Sequence, residues 1–245
     1  MDFQKLSFTI AVLCIALLAQ IAAGAEPLYH TCTTYKNFTA NRDYDRNLNI
    51  LLNDLYYNTP ASGYKYISVS GKKSKNDSVY GSALCRGDIS KADCQICVFE
   101  AAKVIRQICP YHIAANIWYD YCSLEYSNFN DFGYPLSTGY FIRSEFRVSS
   151  PLSSLAQIQK FLYGLSDEAS ASKNLFAKGI IEIEGHLLLY VYGLVQCPLD
   201  LTPANCSTCI KGRIDDLSDL FDGKGAQFVS ATCNVRYEFY PFFKP

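Results

Sequence analysis

The chain has 245 residues, of which 49% are hydrophobic, and this is enough for two domains that each bury a core. Its formal net charge of −1 at pH 7 excludes the strongly basic surface that is typical of proteins that bind nucleic acid through electrostatic attraction. The one local basic cluster, residues 72–75, lies in a Gly/Ser/Asn-rich stretch and is interpreted as a solvated hairpin tip.

Residues 1–25 have the features of a secretory signal peptide. Lys5 supplies a positive charge, residues 6–19 are apolar, and the small residues 23–25 fit a cleavage site. We therefore expect a mature, secreted chain that begins near Glu26. No later run of 18 apolar residues occurs, and neither a membrane span nor a lipid anchor is predicted.

Residues 26–133 are predicted to form a first domain. A leucine spacing of three and four residues indicates a helix that ends at Pro60, and Ser90 is the predicted N-cap of a second helix. In chain order, the predicted elements are a helix over 43–57, strands over 64–70 and 78–86, a helix over 90–108, and strands over 113–121 and 122–129.

Residues 139–245 are predicted to form a second domain of the same order. Its predicted elements are a strand over 139–148, a helix over 152–166, strands over 175–184 and 186–196, a helix over 203–220, a turn over 222–225 and two closing strands. Two helices on one face of a roughly five-stranded antiparallel sheet in each domain define an α+β fold with two tandem disulfide-stapled domains.

An internal repeat supports this division of the chain. The pattern C-x8-C-x2-C occurs twice, and the second copy follows the first by 112 residues (85 to 197). A period of this length is typical of tandem domains rather than of a solenoid of short repeats. The repeated cysteines are Cys85, Cys94, Cys97 and Cys122 in the first copy, and Cys197, Cys206, Cys209 and Cys233 in the second.

Two cysteines of the first domain have no counterpart in the second. Cys32 corresponds to Ser144, and Cys109 corresponds to Phe221. Because losing one end of a disulfide leaves a reactive thiol, the joint loss predicts a Cys32–Cys109 disulfide. Closing that loop lowers the entropy of the unfolded chain and so stabilises the folded domain by about 4.5 kcal/mol in the chain-entropy model. Domain two lacks this contribution, so we expect Phe221 to be buried and domain two to be stabilised by packing against domain one.

After removal of Cys14 with the signal peptide, ten cysteines remain, six in the first domain and four in the second. Even numbers in an oxidising compartment favour disulfides. The alternative is zinc, since C-x2-C is a common ligand spacing. The three histidines, His30, His112 and His186, lie far apart, and no cofactor, metal site or catalytic residue is predicted.

The cysteine spacing, the string over residues 117–122 (IWYDYC) and the string over residues 233–241 (CNVRYEFYP) resemble the plant cysteine-rich repeat secretory proteins. Their repeat is the ginkbilobin-homologous domain, also called the salt-stress response/antifungal domain, and the resemblance covers nearly the whole mature chain. The resemblance implies five disulfides: Cys32–Cys109, Cys85–Cys94, Cys97–Cys122, Cys197–Cys206 and Cys209–Cys233.

Some members of that family bind mannose through an Asn, an Arg and a Glu at fixed distances from the cysteines. The corresponding residues here are Thr33, Asn116 and Ser127 in domain one, and Glu145, Gln227 and Glu238 in domain two. Only Glu238 matches, so the resemblance leaves it as the one candidate for carbohydrate binding. The alternative is that Glu238 is a solvated carboxylate at a strand edge.

Several short motifs have other interpretations. Asn37 and Asn76 are predicted N-glycosylation acceptors, whereas at the third acceptor pattern Asn205 or Ser207 is expected to cap a helix. The tripeptide over residues 86–88 (RGD) matches an adhesion motif, and residues 131–133 (DFG) match a kinase motif. The kinase motif lacks the Gly-rich loop, the strand lysine and the catalytic loop that its function requires. The RGD tripeptide lies in a loop that the implied Cys85–Cys94 disulfide constrains.

The leading hypothesis, which the resemblance implies, is a secreted, non-enzymatic recognition protein of the plant apoplast. It would bind a cell-wall glycan or an extracellular ectodomain in defence or stress signalling. Direct antifungal or antimicrobial activity is the alternative, an uncharacterised extracellular enzyme is less favoured, and homo- or heterodimer formation is open. The 19 Tyr and 15 Phe either build the cores or form an aromatic surface for sugars or a partner.

Overall fold

The computed structural model describes residues 26–33, 37–40, 42–71, 74–130, 132, 139–147, 153–185, 188–218 and 224–244. Within these residues the chain forms four α-helices and two five-stranded antiparallel sheets. The predicted α+β architecture with tandem domains is therefore confirmed. The predicted signal peptide and Phe221 lie outside the described residues.

Domain one contains two helices and the first sheet. Its elements are β1 (Tyr29–Cys32), α1 (Asp43–Ser62), β2 (Tyr64–Val69), β3 (Val79–Cys85), α2 (Lys91–Ile108), β4 (Ala115–Trp118) and β5 (Cys122–Ser127). The strand order is β1-β4-β5-β3-β2. Both helices pack on one sheet face, and the core lies between the layers around Leu48, Leu51, Ile105 and Leu124.

Domain two repeats this topology. Its elements are β6 (Gly139–Arg147), α3 (Ser153–Ala171), β7 (Phe176–Glu182), β8 (Tyr190–Gln196), α4 (Pro203–Ser218), β9 (Lys224–Ser230) and β10 (Asn234–Glu238). The strand order is β6-β9-β10-β8-β7, which matches domain one strand for strand. Ile158, Leu162, Ile210 and Phe228 are buried between its helices and its sheet.

Five disulfides join the cysteine pairs that the resemblance implies: Cys32–Cys109, Cys85–Cys94, Cys97–Cys122, Cys197–Cys206 and Cys209–Cys233. Two of them in each domain connect a helix to the sheet on which it packs. The fifth, Cys32–Cys109, connects an edge strand to the end of α2 and closes a sequence separation of 77 residues.

The first residues of α2 and α4 show which of the predicted N-caps form. The Ser90 side chain accepts a hydrogen bond from the Asp93 amide at 3.1 Å, which confirms it as the N-cap of α2. Domain two uses Thr202 at the corresponding place, because its hydroxyl accepts from the Asn205 amide at 3.2 Å. The prediction that Asn205 or Ser207 caps this helix is therefore wrong.

Pro60 does not end α1, contrary to the prediction. The helix continues to Ser62, and Gly63 terminates it in the left-handed conformation at φ 78°. Pro60 cannot donate to the helix, but the Gly63 amide donates to the Thr59 carbonyl at 2.8 Å and closes the final turn. One lost hydrogen bond so close to a helix end is tolerated because little helix follows it.

Other element limits also differ from the expectation. Helix α3 extends to Ala171 rather than residue 166, and β8 begins only at Tyr190. The short strand β1 was missed, since four residues give too little alternation to identify. Its pairing with β4 brings Cys32 opposite Ala115, and it is this pairing that places Cys32 close to Cys109.

Candidate functional site

The two domains are joined by an interdomain seam, which we define as the contacts between the loops after β3 and β4 and the face of the second sheet. Gln196 is buried there, and its amide donates to the Cys85 carbonyl at 3.0 Å. Its carbonyl oxygen accepts from the Gly87 amide at 3.3 Å. The Trp118 indole donates to the Ser230 carbonyl at 3.2 Å. Domain two thus packs against domain one, as we expected.

The seam has an approximate internal symmetry. Gly87 of domain one lies so close to the Phe176 ring that an added Cβ would collide with it. In the reverse direction, Asp200 of domain two, the counterpart of Asp88 beside Gly87, lies near Tyr64, the counterpart of Phe176. Burial and then this carboxylate raise the pKa of Tyr64. Each cysteine-motif loop therefore contacts the first residue of an edge strand in the other domain.

A chain of charged side chains crosses the seam. Arg86 pairs with Asp88 at 2.6 Å and with Asp120 at 3.2 Å. Asp120 also pairs with Arg236 of domain two at 2.5 Å, and Arg236 pairs with Glu238 at 3.2 Å. Although burial alone would lower it, the carboxylates of Asp120 and Glu238 raise the pKa of Arg236.

The carboxyl-terminal residues cover this charged chain. The Phe242 ring lies 4.0 Å from the Arg236 guanidinium, and its carbonyl accepts from Arg86 at 3.4 Å. Phe243 packs edge-on against Tyr192. The second sheet therefore has helices on one face, and on the other it has the end of the chain together with domain one.

Glu238 does not match its predicted setting. It is only 4% exposed, and its strand β10 lies at the centre of the sheet between β9 and β8. The interpretation as a solvated strand-edge carboxylate is wrong, because β10 is a central strand and the carboxylate packs over Gly225 of β9. Burial raises the pKa of Glu238, and the Arg236 guanidinium partly opposes this shift. Carbohydrate binding by Glu238 stays a prediction.

The other positions of the mannose pattern in domain one have hydrogen bonds within the protein. The Thr33 hydroxyl donates to the Ala114 carbonyl at 2.6 Å, and the Asn116 amide donates to the Thr31 hydroxyl at 3.1 Å. The Ser127 hydroxyl accepts from the Phe129 amide at 3.0 Å. These residues stabilise the sheet edge and the turn after β5.

In domain two, Gln227 is buried and donates to the Asn234 side chain at 3.2 Å, whereas Glu145 is exposed on β6. Gln227 lies opposite Arg236 in the pairing of β9 with β10, so it shares a buried sheet face with Glu238. In the same way, Arg86 and Asp88 are buried in a mutual ion pair, so the adhesion motif is not presented to solvent. Residues 131 and 133 of the kinase-like motif lie outside the described residues.

A second feature is the aromatic groove, which we define as the cleft between α1 and α2 lined by Asn49, Asn53, Tyr56, Tyr57, Phe99, Lys103 and Arg106. Its volume is about 330 Å³. The Tyr56 ring packs against Tyr57 at 4.5 Å and against Phe99 at 5.4 Å between centroids. Tyr57 is 67% exposed and Phe99 is 47% exposed. Sequence reasoning missed this groove, because its rings come from helix positions 42 residues apart (57 to 99).

A larger cleft of about 740 Å³ lies at the other end of α1. Asn37 and Asn76 both line it, together with Arg42 and Phe129, and both asparagines are exposed. The two predicted glycosylation acceptors therefore share one rim. Across the described residues, no group of three His, Cys, Asp or Glu side chains could hold a metal ion.

Two similar domains, each containing disulfides and joined to the other through a buried polar seam, define a tandem cysteine-rich protein. The salt stress response/antifungal family model matches residues 31–129 and 145–240, one match within each predicted domain. The chain belongs to this family. It is 37% identical to an antimicrobial ginkbilobin-2-like protein of Castanea crenata, with 96% of each chain covered. It is 36% identical to cysteine-rich repeat secretory protein 38 of Arabidopsis thaliana, covering 99% of this chain and 96% of that one.

The fold is also similar to a solved structure, the tandem DUF26 ectodomain of the Arabidopsis thaliana cysteine-rich receptor-like protein PDLP8. The TM-score is 0.75 at 23% identity, with 88% of this chain and 98% of that chain covered. With secretory relatives, an ectodomain fold and five disulfides, the protein is extracellular. Within the described residues, none of the helices combines the length and apolarity needed to cross a membrane.

Proposed function

We propose that the protein is a non-enzymatic recognition protein of the plant apoplast that binds a glycan or another ectodomain in defence or stress signalling. The observation that carries this proposal is the aromatic groove, a solvent-facing cluster of rings on a domain held rigid by three disulfides. Contiguous exposed apolar patches on a folded domain indicate interaction sites, and these rings contact one another. The buried seam supports a single rigid two-domain unit.

The proposal is tested by direct binding. The secreted, glycosylated protein is applied to an array of cell-wall oligosaccharides, and proteins from cell-wall fluid that it retains are re-expressed and titrated one at a time. Saturable binding of a glycan or of a purified ectodomain supports recognition. Failure of both arms, with the protein folded and its disulfides intact, would contradict it.

A second candidate is direct antifungal or antimicrobial action. The observation that favours it is 37% identity, over nearly the full length, to a relative named as antimicrobial. The net charge of −1 argues against lysis of an anionic membrane. Growth inhibition of fungal cultures by the purified protein, compared with a reduced and alkylated sample, separates this candidate from recognition alone.

Glycosylation at Asn37 and Asn76 is also proposed. Both side chains are exposed on the rim of the same cleft, so glycans there would cover it. Asn205 is less favoured, because it lies in the first turn of α4, where its backbone N–H donates to the Thr202 hydroxyl, next to the disulfide-bonded Cys206. Mass analysis before and after glycosidase treatment of Asn37→Gln and Asn76→Gln tests each acceptor.

For Glu238, the test is Glu238→Gln, which keeps the side-chain shape. Loss of glycan binding without a change in melting temperature would assign it a direct role in carbohydrate binding. A fall in melting temperature with binding retained would assign it a structural role at the seam.

A further inference from the structure

We propose that the aromatic groove of domain one binds a neutral oligosaccharide that presents an apolar ring face. This inference rests on the proposed recognition function and goes beyond it, because it names the site and the ligand class. The groove lies between the two helices of domain one, and none of the positions of the mannose pattern lines it.

The first argument is the arrangement of the rings. Tyr56 is half-buried and contacts both Tyr57 and Phe99, so it holds the two exposed rings in place. Aromatic residues of this kind offer a large, rigid surface at little cost in conformational entropy. A pyranose ring has a face of C–H bonds that stacks on such a surface, and a cleft of about 330 Å³ admits one or two sugar units.

The second argument is the polar lining. Asn49 and Asn53 project from successive turns of α1, and their exposed amides can both donate to and accept from sugar hydroxyls. Arg106 also lines the groove, and its guanidinium lies over the Phe38 ring at 5.3 Å.

The third argument concerns charge. Lys103 pairs with Glu100 at 3.4 Å, and the Nη2 atom of Arg106 pairs with Asp45 at 2.5 Å. Each cation of the groove therefore already has a carboxylate partner. An acidic glycan or an acidic peptide would have to compete with these carboxylates, so the groove favours an uncharged ligand.

Domain two provides an internal comparison. Buried leucine and isoleucine positions of α1 and α3 correspond at a spacing of 110 (48 to 158 and 52 to 162), so Tyr57 corresponds to Asp167. The cysteine repeat relates Phe99 to Lys211, and Asp167 and Lys211 form an ion pair at 2.7 Å. In domain two an ion pair thus occupies the positions of the two exposed rings, and Tyr163, at the position of Asn53, donates a hydrogen bond to Asp215 there.

This comparison supplies the test variant. Tyr57→Asp combined with Phe99→Lys copies a pair that the fold already accommodates in domain two. Asp167→Ala in domain two is the matched control. The full-length secreted proteins are applied to an array of neutral fragments (β-glucan, chitin, xyloglucan and mannan) and acidic oligogalacturonides, and the affinity for each bound fragment is measured by calorimetry.

We expect binding of a neutral fragment that falls at least tenfold in the double variant, about 1.4 kcal/mol, and does not change in the control. Single Tyr57→Ala and Phe99→Ala variants with wild-type melting temperatures keep the test valid if the double variant misfolds. Neutral-glycan binding that survives all these substitutions overturns the inference and leaves the proposed function intact. The inference is also overturned if the protein prefers the acidic fragments, or if the variants lose only ectodomain binding. If the wild-type protein binds neither a glycan nor an ectodomain, both proposals are contradicted.

Discussion

The charged chain across the seam predicts that Arg236→Met will strongly destabilise domain two. The Arg236 side chain is 11% exposed and neutralises two carboxylates, of which Glu238 is buried. Removing one partner of a buried ion pair leaves an uncompensated charge and costs about 3–5 kcal/mol. For a folded unit of this size, about 3 kcal/mol lowers the melting temperature by roughly 6–12 °C.

The loss should depend on pH. Burial already raises the pKa of Glu238 in the folded protein, and removing Arg236 removes the largest influence that opposes this shift. A carboxyl group whose folded pKa lies above its unfolded pKa costs stability increasingly as the pH rises from the unfolded value through the folded one. The difference between Arg236→Met and wild type should therefore be larger at neutral pH than at mildly acidic pH.

The assay is thermal and urea unfolding of both proteins at several pH values. Arg46→Met is the matched control, because the Arg46–Asp43 pair is exposed and is expected to contribute less than about 1 kcal/mol. Adding Glu238→Gln to Arg236→Met should recover part of the lost stability. A loss no larger than that of the control, or one independent of pH, would refute the view that this chain of charges is buried and coupled.

Three further predictions concern stability. Replacing both Cys32 and Cys109 by Ser should lower the free energy of unfolding of domain one by about 4.5 kcal/mol in the chain-entropy model. Urea denaturation measures this loss. A loss of about 1 kcal/mol would show that the loop is already constrained in the unfolded chain. Gly193→Ala should lower the free energy of unfolding by about 1–3 kcal/mol, because the added Cβ would lie 2.5 Å from the Phe161 ring. Gly212→Ala is the control, since it has open space in α4 and should be neutral or stabilising. Equal melting temperatures of the two variants would contradict this prediction. Thr202→Ala should lower the melting temperature by removing an N-cap worth about 1 kcal/mol, and an unchanged value would show that the cap is dispensable.

The sequence alone determined the features that depend on local pattern or on the internal repeat. Helical spacing of leucines located α1, and Ser90 marked the start of α2, because capping involves atoms only three residues apart. The joint absence of partners for Cys32 and Cys109 in domain two predicted their disulfide, since a bond needs both of its ends. The repeat itself indicated two domains.

Only the tertiary structure decided which surfaces face solvent. Glu238 lies in a strand with ordinary alternation, and its burial follows from the central position of β10, where its carboxylate packs over Gly225 of β9 and pairs with Arg236. Tyr57 and Phe99 become one groove only when α1 packs on α2. The physical reason is that sequence periodicity reports which side of an element is apolar, whereas strand order and helix packing are set by contacts between residues far apart in the chain.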